Sequence, residues 1–316
     1  MKKTIVTLVT GFLLTTSGLA LAAPMEISGT GTIKFQNKTA NQTPNEFGTS
    51  FTLTLRGEQK IGPDVSLYAR LAAQYATNPL LAEEDRLVSG SGTKMIASLD
   101  QFGIIFKPKN FAFKLGRQES LVGKTALLYS RSETNVGNSA FVDGLSFEGT
   151  AGKWQLTGVA AWENNLGLTN NNFYALHAGY NLSKATNAGV TWGQYRIVDG
   201  DTSNHWAVDL STVVGKSTFT GEYAQSSANS DNKAYALTWN YDFNGKTALY
   251  LTHFRVEANA DMGGQSDFDN SNRGFYYGLT HAFNDKLTLE VIYKDQVLLS
   301  DDSKNSKFEL WLKRKF

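Results

Sequence analysis

The feature that most limits how this chain can fold is a two-residue rhythm along its length, interrupted by connections that are short and long in turn. Trp206, Val208, Leu210, Thr212 and Val214 alternate with His205, Ala207, Asp209, Ser211 and Val213. Tyr235, Leu237, Trp239, Tyr241 and Phe243 do the same against Ala236, Thr238, Asn240 and Asp242. Such a period of two describes strands with two unlike faces, and it replaces the 3.6-residue repeat of helices from Ala23 onward.

The connections carry as much information as the strands. Ile61-Gly62-Pro63-Asp64, Lys107-Pro108-Lys109-Asn110, Ala151-Gly152-Lys153, Leu182 to Thr186, Gly215-Lys216, Asn244-Gly245-Lys246 and Asn284-Asp285-Lys286 read as tight hairpin turns. Between them lie longer polar connections at Asn37 to Gly48, Asn78 to Thr93, Glu119 to Ser139, Asn164 to Asn172, Val198 to Ser203, Ala228 to Asn232, Glu257 to Asn272 and Leu298 to Ser303. Seven turns and eight loops join sixteen strands. An even number of antiparallel strands, with turns at one end and loops at the other, is the layout of an outer-membrane barrel. The fold class read from the sequence is therefore all-β: a transmembrane antiparallel β-barrel of sixteen strands. Its last strand, Lys304 to Phe316, closes against its first, Met25 to Gln36, which removes both sheet edges as hydrocarbon requires.

Hydropathy agrees once the barrel is considered. Met1-Lys2-Lys3, the apolar run Thr4 to Leu21 and the small-residue exit Ala20-Leu21-Ala22 form a secretory signal, so residues 1–22 are expected to be cleaved and 23–316 to form the barrel. Beyond it no run of about 20 apolar residues exists, so no helix can span a bilayer, whereas barrel strands need only about 9–11 residues with one apolar face. Aromatic residues near strand ends, such as Trp154 and Trp162 bracketing Leu156, Gly158 and Ala160, suit the two interfaces.

The chain resembles the general bacterial porins, the sixteen-stranded trimeric channels of Gram-negative outer membranes. The resemblance rests on Gly116-Arg117-Gln118 at the end of the fifth strand, on the long loop Glu119 to Ser139 that follows it, and on the ending Phe308-x-Leu310-x-Leu312-x-Arg314-x-Phe316. It implies a water-filled channel for passive diffusion of small hydrophilic solutes and ions, a homotrimer, and a third loop folded into the pore. It also implies that Phe308, Leu310, Leu312 and Phe316 are read by the outer-membrane assembly machinery, and that lipids and lipopolysaccharide surround the barrel.

Strand parity then predicts the lumen. A lipid-facing Arg or Lys at mid-membrane costs roughly 2–4 kcal/mol, so a mid-strand charge should point inward. With Phe51, Leu53 and Leu55 outward, Arg56 and Glu58 face in; with Leu67, Ala69 and Leu71 outward, Tyr68, Arg70 and Gln74 face in. The same counting places Lys114, Glu148, Asp209, Glu222, Glu290 and Lys294 in the lumen. The porin resemblance implies a constriction in which wall arginines oppose loop carboxylates: here Arg56, Arg70 and Arg117 against Glu119 and Glu133. Strict alternation from Phe111, Phe113 and Leu115 sends Arg117 to lipid, so its place in the pore requires a bulge at Gly116. Arg196, Arg255 and Arg273 fall near the loop-side rim, where lipopolysaccharide or loop charges would meet them.

Other chemistries fail on the residues present. Cysteine is absent, which excludes a disulfide framework, thiolate metal sites and a cysteine nucleophile. His177, His205, His253 and His281 sit on separate strands without a metal-binding pair, and Gly263-Gly264 precedes no helix that would cradle a phosphate. Asp261, Asp267 and Asp269 match no defined Ca²⁺ spacing. No enzyme, cofactor or metal is expected. Removing Lys2 and Lys3 from the 30 basic residues leaves 28 against 29 acidic ones, so no nucleic-acid surface is implied. Two readings stay open beside the general channel: a solute-specific channel, which needs a continuous lumenal track of aromatics or like charges, and a surface-binding adhesin, which needs long varied loops.

Overall fold

The computed structural model describes residues 25–40, 43–78, 95–137, 139–163 and 170–316. The expected signal segment, 1–22, and most of the second long connection, 79–94, lie outside the described residues. In chain order the strands are β1 (Glu26–Ala40), β2 (Thr43–Lys60), β3 (Val65–Ala76), β4 (Met95–Phe106), β5 (Phe111–Gln118), β6 (Ser120–Val122), β7 (Tyr129–Arg131), β8 (Val142–Ala151) and β9 (Trp154–Glu163). They continue as β10 (Asn172–Asn181), β11 (Thr186–Arg196), β12 (Thr202–Val214), β13 (Ser217–Ser226), β14 (Lys233–Asp242), β15 (Thr247–Val256), β16 (Asn272–Asn284), β17 (Leu287–Leu298) and β18 (Lys304–Lys315).

Among the described residues, sixteen of these strands form one closed antiparallel barrel, while β6 and β7 form a separate two-stranded sheet inside the third long connection. Each barrel strand pairs with its neighbour in sequence apart from the β5–β8 step over β6 and β7. The seam is β1 against β18, registered from Thr30 opposite Lys315 to Ala40 opposite Asn305. Phe316 completes it, exchanging two backbone hydrogen bonds with Gly29 at 3.0 and 3.1 Å.

One expectation about the ends is corrected. The first long connection, Asn37 to Gly48, is mostly strand: β1 and β2 stay paired through Lys38 opposite Glu46 and, after a register shift, Ala40 opposite Thr43. Polar composition marks a loop only where the backbone lacks a partner, and here two long strands supply one another.

The outer wall is apolar along its length. Phe51, Leu67, Leu115, Leu145, Leu176, Trp192, Val208, Leu237 and Leu279 are all exposed, at 39% or more of their surface. A surface of this kind is stable against lipid and would aggregate in water.

Parity breaks once in a way that matters for the interior. Between β3 and β4, Arg70 pairs with Gln101 but Leu71 pairs with Leu99, so Asp100 is the extra residue of a bulge. Both Asp100 and Gln101 are wholly buried within the barrel. At Gly116 the pairing is continuous on both sides, to Gly103 and to Gly144. What Gly116 supplies is a positive φ of 134° and the absence of a side chain: a Cβ there would lie 2.3 Å from the Phe102 carbonyl oxygen. Gly103, Gly116 and Gly144 stand side by side next to Tyr68, whose hydroxyl donates to the Arg117 carbonyl at 3.0 Å. Gly103 also leaves room for the Tyr68 hydroxyl, which a Cβ there would meet at 2.9 Å.

Replacing Gly116 with alanine should therefore lower barrel stability by about 1–3 kcal/mol through φ strain and the backbone clash. Circular-dichroism melting of the detergent-folded protein checks this, and an unchanged midpoint would show that the row tolerates side chains.

Candidate functional site: the lumen and its inward loops

The interior is built from strand faces that alternate as their sequences require, and from two loops that turn inward. The connection after β5 runs from Glu119 to Phe141 and is clamped to the wall at three separate strands. On β3, Arg70 makes a bidentate pair with Asp100, 2.9 Å at both nitrogens, and donates to the Glu133 and Asn135 carbonyls at 2.7 and 2.6 Å. Its guanidinium also packs over the Phe141 ring at 4.7 Å. On β9, Glu163 accepts from the Tyr129 and Tyr195 hydroxyls and the Asn171 amide, and Arg131 lies 3.4 Å from it. On β13, Glu222 accepts from the Thr125 amide and hydroxyl at 2.6 and 2.7 Å.

A second inward segment, residues 257–271, packs on the first. The Met262 amide donates to the Leu128 carbonyl, the Asp267 amide to Ala126, and the Ser130 amide to Gln265. Ser226 and His205 on the wall bond the Asn259 and Ala260 carbonyls. Leu127, Leu128, Tyr129, Ala260 and Met262 are fully buried among the inward alanines Ala161, Ala175, Ala207, Ala224, Ala234 and Ala236. Small inward side chains make the room, and apolar burial holds the loops in it. The barrel thus contains a dry core within its lumen, along the β9 to β16 side.

Polar cavities remain elsewhere. One, of about 370 Å³, is lined by Thr30, Thr32, Lys34, Thr52, Thr54, Arg56, Glu133, Trp311, Lys313 and Lys315. Another, of about 560 Å³, is lined by Lys107, Lys114, Glu119, Lys124, Glu148, Gln155, Thr157 and His177. The loop borders both.

The residues singled out from sequence separate into groups. Arg56 reaches Glu133 across the first cavity at 3.6 Å, with both side chains substantially exposed, at 41% and 63%. Arg70 is also inward but only 3% exposed, so its charge is directed to the loop backbone and Asp100 rather than to open water. Arg117 is a correction: without a bulge at Gly116 it keeps the parity of Phe113 and Leu115, faces outward, and forms a bidentate pair with Asp143 at 3.0 and 2.8 Å. Glu119 lines the second cavity together with Lys114, whose ammonium lies 4.6 Å above the Tyr68 ring. Glu58 pairs with Lys107 at 3.5 Å, Glu290 with Lys313 at 2.8 Å, and Lys294 lies over Tyr276 at 4.5 Å. Asp209 and Glu222 are cross-strand neighbours, nearly buried, with His177 3.6 Å from Asp209. Glu148 borders the second cavity.

At the rim, Arg255 pairs with Glu257 and Arg273 with Asp302, each at 3.0 Å. His253 faces outward, stacked on Phe275 at 4.5 Å. Among the described residues no cluster of His, Asp and Glu is arranged to hold a metal ion.

Sequence reading missed Asp100, Glu163, Lys34, Lys307 and Glu309. Asp100 had a signal: Asp100-Gln101 is a polar pair between Leu99 and Phe102, where strict alternation allows one. The others are ordinary inward polar positions whose weight comes from partners distant in sequence.

Two outcomes follow. Arg70→Ala leaves the Asp100 carboxylate buried and unpaired, a loss of about 3–5 kcal/mol, and the single point charge of Arg70→Lys should not restore it. Proteolytic nicking between residues 132 and 141, with noisier ion currents, is the expected readout; a loop as resistant as in the parent chain would assign the clamp elsewhere. In the second inward segment, Asp261 accepts from the Gly264 and Ser266 amides and the Asn270 side chain, and burial pushes its carboxyl up to about 6. Its folded value lies above its unfolded one, so its contribution to stability is complete below about 4 and lost as pH rises through about 6. Hydrogen-exchange protection of 257–271, corrected for the intrinsic rate, should increase from pH 7 to pH 5 in the parent chain and stay flat in Asp261→Asn.

A family profile described as Gram-negative porin matches residues 8–310. No curated protein is significantly similar to the chain. Among solved structures, the Salmonella typhi OmpF complex with daunomycin is similar at a TM-score of 0.63 and 12% identity, over 94% of this chain and 100% of that one. Vibrio cholerae OmpT in its trimer form gives 0.58 and 13% over 93% and 100%, and Acinetobacter baumannii OccAB4 gives 0.57 and 11% over 94% and 99%. At such identities these likenesses speak for the barrel alone, and the profile match over most of the sequence speaks for descent. With its sixteen-stranded barrel, apolar outer wall and polar, loop-narrowed lumen, the chain belongs to the Gram-negative porin family and is an outer-membrane β-barrel channel.

Proposed function

We propose that the barrel is a general diffusion porin, passing small hydrophilic solutes and ions passively through a water-filled lumen constricted where Arg56 faces Glu133. The observation that carries this reading is that exposed pair, 3.6 Å apart between wall and inward loop and beside a polar cavity. A field across a narrow wet passage orients dipolar solutes and disfavours apolar ones. Arg56, Glu133 and the neighbouring Lys114 and Glu119 are the residues assigned to it, with Arg70 positioning the loop.

The solute-specific alternative loses support on geometry. Its track would need open aromatic faces, but Tyr68, Tyr276 and Trp311 each carry a lysine ammonium over the ring, at 4.6, 4.5 and 4.4 Å. A second ammonium, from Lys313, lies 4.9 Å from Trp311. Neither catalysis nor a cofactor enters the reading.

The same reading extends to assembly and to the membrane surroundings. Three barrels assemble as a homotrimer after residues 1–22 are removed. The terminal strand, with outward Phe308, Leu310, Leu312 and Phe316, is read by the assembly machinery. Lipopolysaccharide meets the arginines of the rim.

Single-channel recording in planar bilayers, with added sugars of increasing size, tests the whole. Large current steps in groups of three with a sharp size cutoff are expected. Absence of conductance by correctly folded protein would reject the channel, and small steps blocked by one solute would replace the general porin with a specific one.

A further inference from the structure

The charges of the lumen are unequally available to water. Asp100, Glu163, Asp209, Glu222 and Glu309 are each at most 6% exposed. Three of them hold the inward loops through Arg70, Tyr129 and Thr125. On the β17–β18–β1–β2 arc Lys34 is buried as deeply, at 6%, while Lys313, Arg56 and the loop's Glu133 keep 33%, 41% and 63% of their side chains exposed. Lys34 and Lys313 both lie over the Trp311 ring, 4.4 and 4.9 Å from its centroid, and Lys294 lies over Tyr276. An aromatic ring positions a cation without cancelling its charge, but Lys34 also pairs with Glu309 and Lys313 with Glu290, so the field left to the water is set by the balance of these groups.

The register concentrates these charges. Lys38 on β1, Lys307 on β18 and Lys294 on β17 are direct cross-strand partners, three like charges in a row. Directly opposed like charges destabilise a sheet unless anions balance them. Two protein carboxylates serve here. Glu309 lies 2.7 Å from Lys307 and 3.2 Å from Lys34. Asp269 of the second inward loop accepts from Gln296 at 2.7 Å. Against the desolvation of the crowded lumen, Lys294, the Gln296 amide, Lys307 and Lys38 hold the Asp269 carboxyl below its ordinary value. The row already acts on a carboxylate that a loop brings to it. Lower on the same strand, outside that row, Lys313 is one-third exposed and Lys315 is exposed, and both line the cavity that Lys34, Arg56 and Glu133 also line.

We propose that the cavity lane along β18, β1 and β2 favours anions, and that its solutes are small organic anions bearing carboxylate or phosphate groups. This rests on the channel reading and goes beyond it by giving the sign of the selectivity and the chemical class of solute. Hydroxyls of Thr30, Thr32, Thr52 and Thr54 between the lysines supply neutral donors to the same oxygens. An anion passes by exchanging one ammonium for the next, which requires several weak sites in place of one strong one.

The test is the zero-current potential of the reconstituted barrel across a salt gradient, kept at low ionic strength so that screening does not mask the wall charges. Potassium chloride, potassium acetate and potassium phosphate serve as probes. Anions are expected to permeate several-fold better than potassium in the parent chain. The double variant Lys313→Gln/Lys315→Gln should shift the potential toward cations, and Glu290→Gln should shift it the other way, with heat-modifiable migration on gels reporting that each variant folds. Conducting protein that prefers potassium, or variants that move opposite to these signs, would overturn the anion lane while leaving the channel intact. Folded protein without any conductance would instead remove the channel reading on which the lane stands.

Discussion

Every part of this molecule depends on one constraint: inside hydrocarbon a backbone N–H or C=O without a partner costs several kcal/mol, so a membrane-spanning sheet has no tolerable edge. The β1–β18 seam, extended by the two bonds between Gly29 and Phe316, meets that demand at the two strands most distant in sequence. Closure cannot form locally, because the last residues must find the first. A terminal aromatic ring on the outward face, packed against the side-chain-free Gly29, gives the seam an apolar end that lipid stabilises further.

Once closed, the barrel inverts the usual logic of a protein interior. Its apolar burial is outside, against lipid, and its lumen is wide enough that polar side chains can remain hydrated. The inward loops restore a conventional core inside part of this lumen. They do so where the wall offers alanine, and they are fixed by buried carboxylates that accept several hydrogen bonds each. The Glu163 site shows how: two tyrosine hydroxyls, one amide and one arginine converge on it, which offsets the desolvation that a lone carboxylate would suffer at 1% exposure. Satisfied networks of this type are rigid, so the loop they hold can keep a constriction at fixed width.

The legible and illegible parts of the sequence divide along these lines. Strand number, turn positions and wall parity follow from period-two alternation, because lipid enforces it at every strand. Arg56, Lys114, Asp209, Glu222, Glu290 and Lys294 were all placed on the lumenal face by that rule. It was least useful where the interior answers to loops. Arg70 has the right parity, yet its role depends on Asp100, thirty residues away, and Asp100 is inward only because a bulge shifts the register. Arg117 met the opposite problem: the family motif drew it into the pore, while its own alternation kept it outside with Asp143. The inward fold of 257–271 had no signal in its polar composition. The alanines at the loop ends of β9, β10 and β12 to β14 were the trace it left, and a small residue is equally at home beside water.

The arrangement of charge follows from the same division of labour. A carboxylate can accept several backbone and hydroxyl donors at once, which suits it to holding loops; an ammonium offers donors only, and on this wall it meets threonine hydroxyls, aromatic rings and a few carboxylates. Asp100, Glu163 and Glu222 are therefore drawn into the buried loop contacts, whereas Lys313 and Lys315 stay at the water boundary, with Trp311 seating Lys313 beside the buried Lys34. A chain whose charges nearly cancel overall can then present a basic excess along its open lane, where Lys34, Arg56, Lys313 and Lys315 line the cavity with Glu133. Net charge is a property of the whole sequence, whereas selectivity is a property of the groups that remain hydrated after the loops have taken their partners.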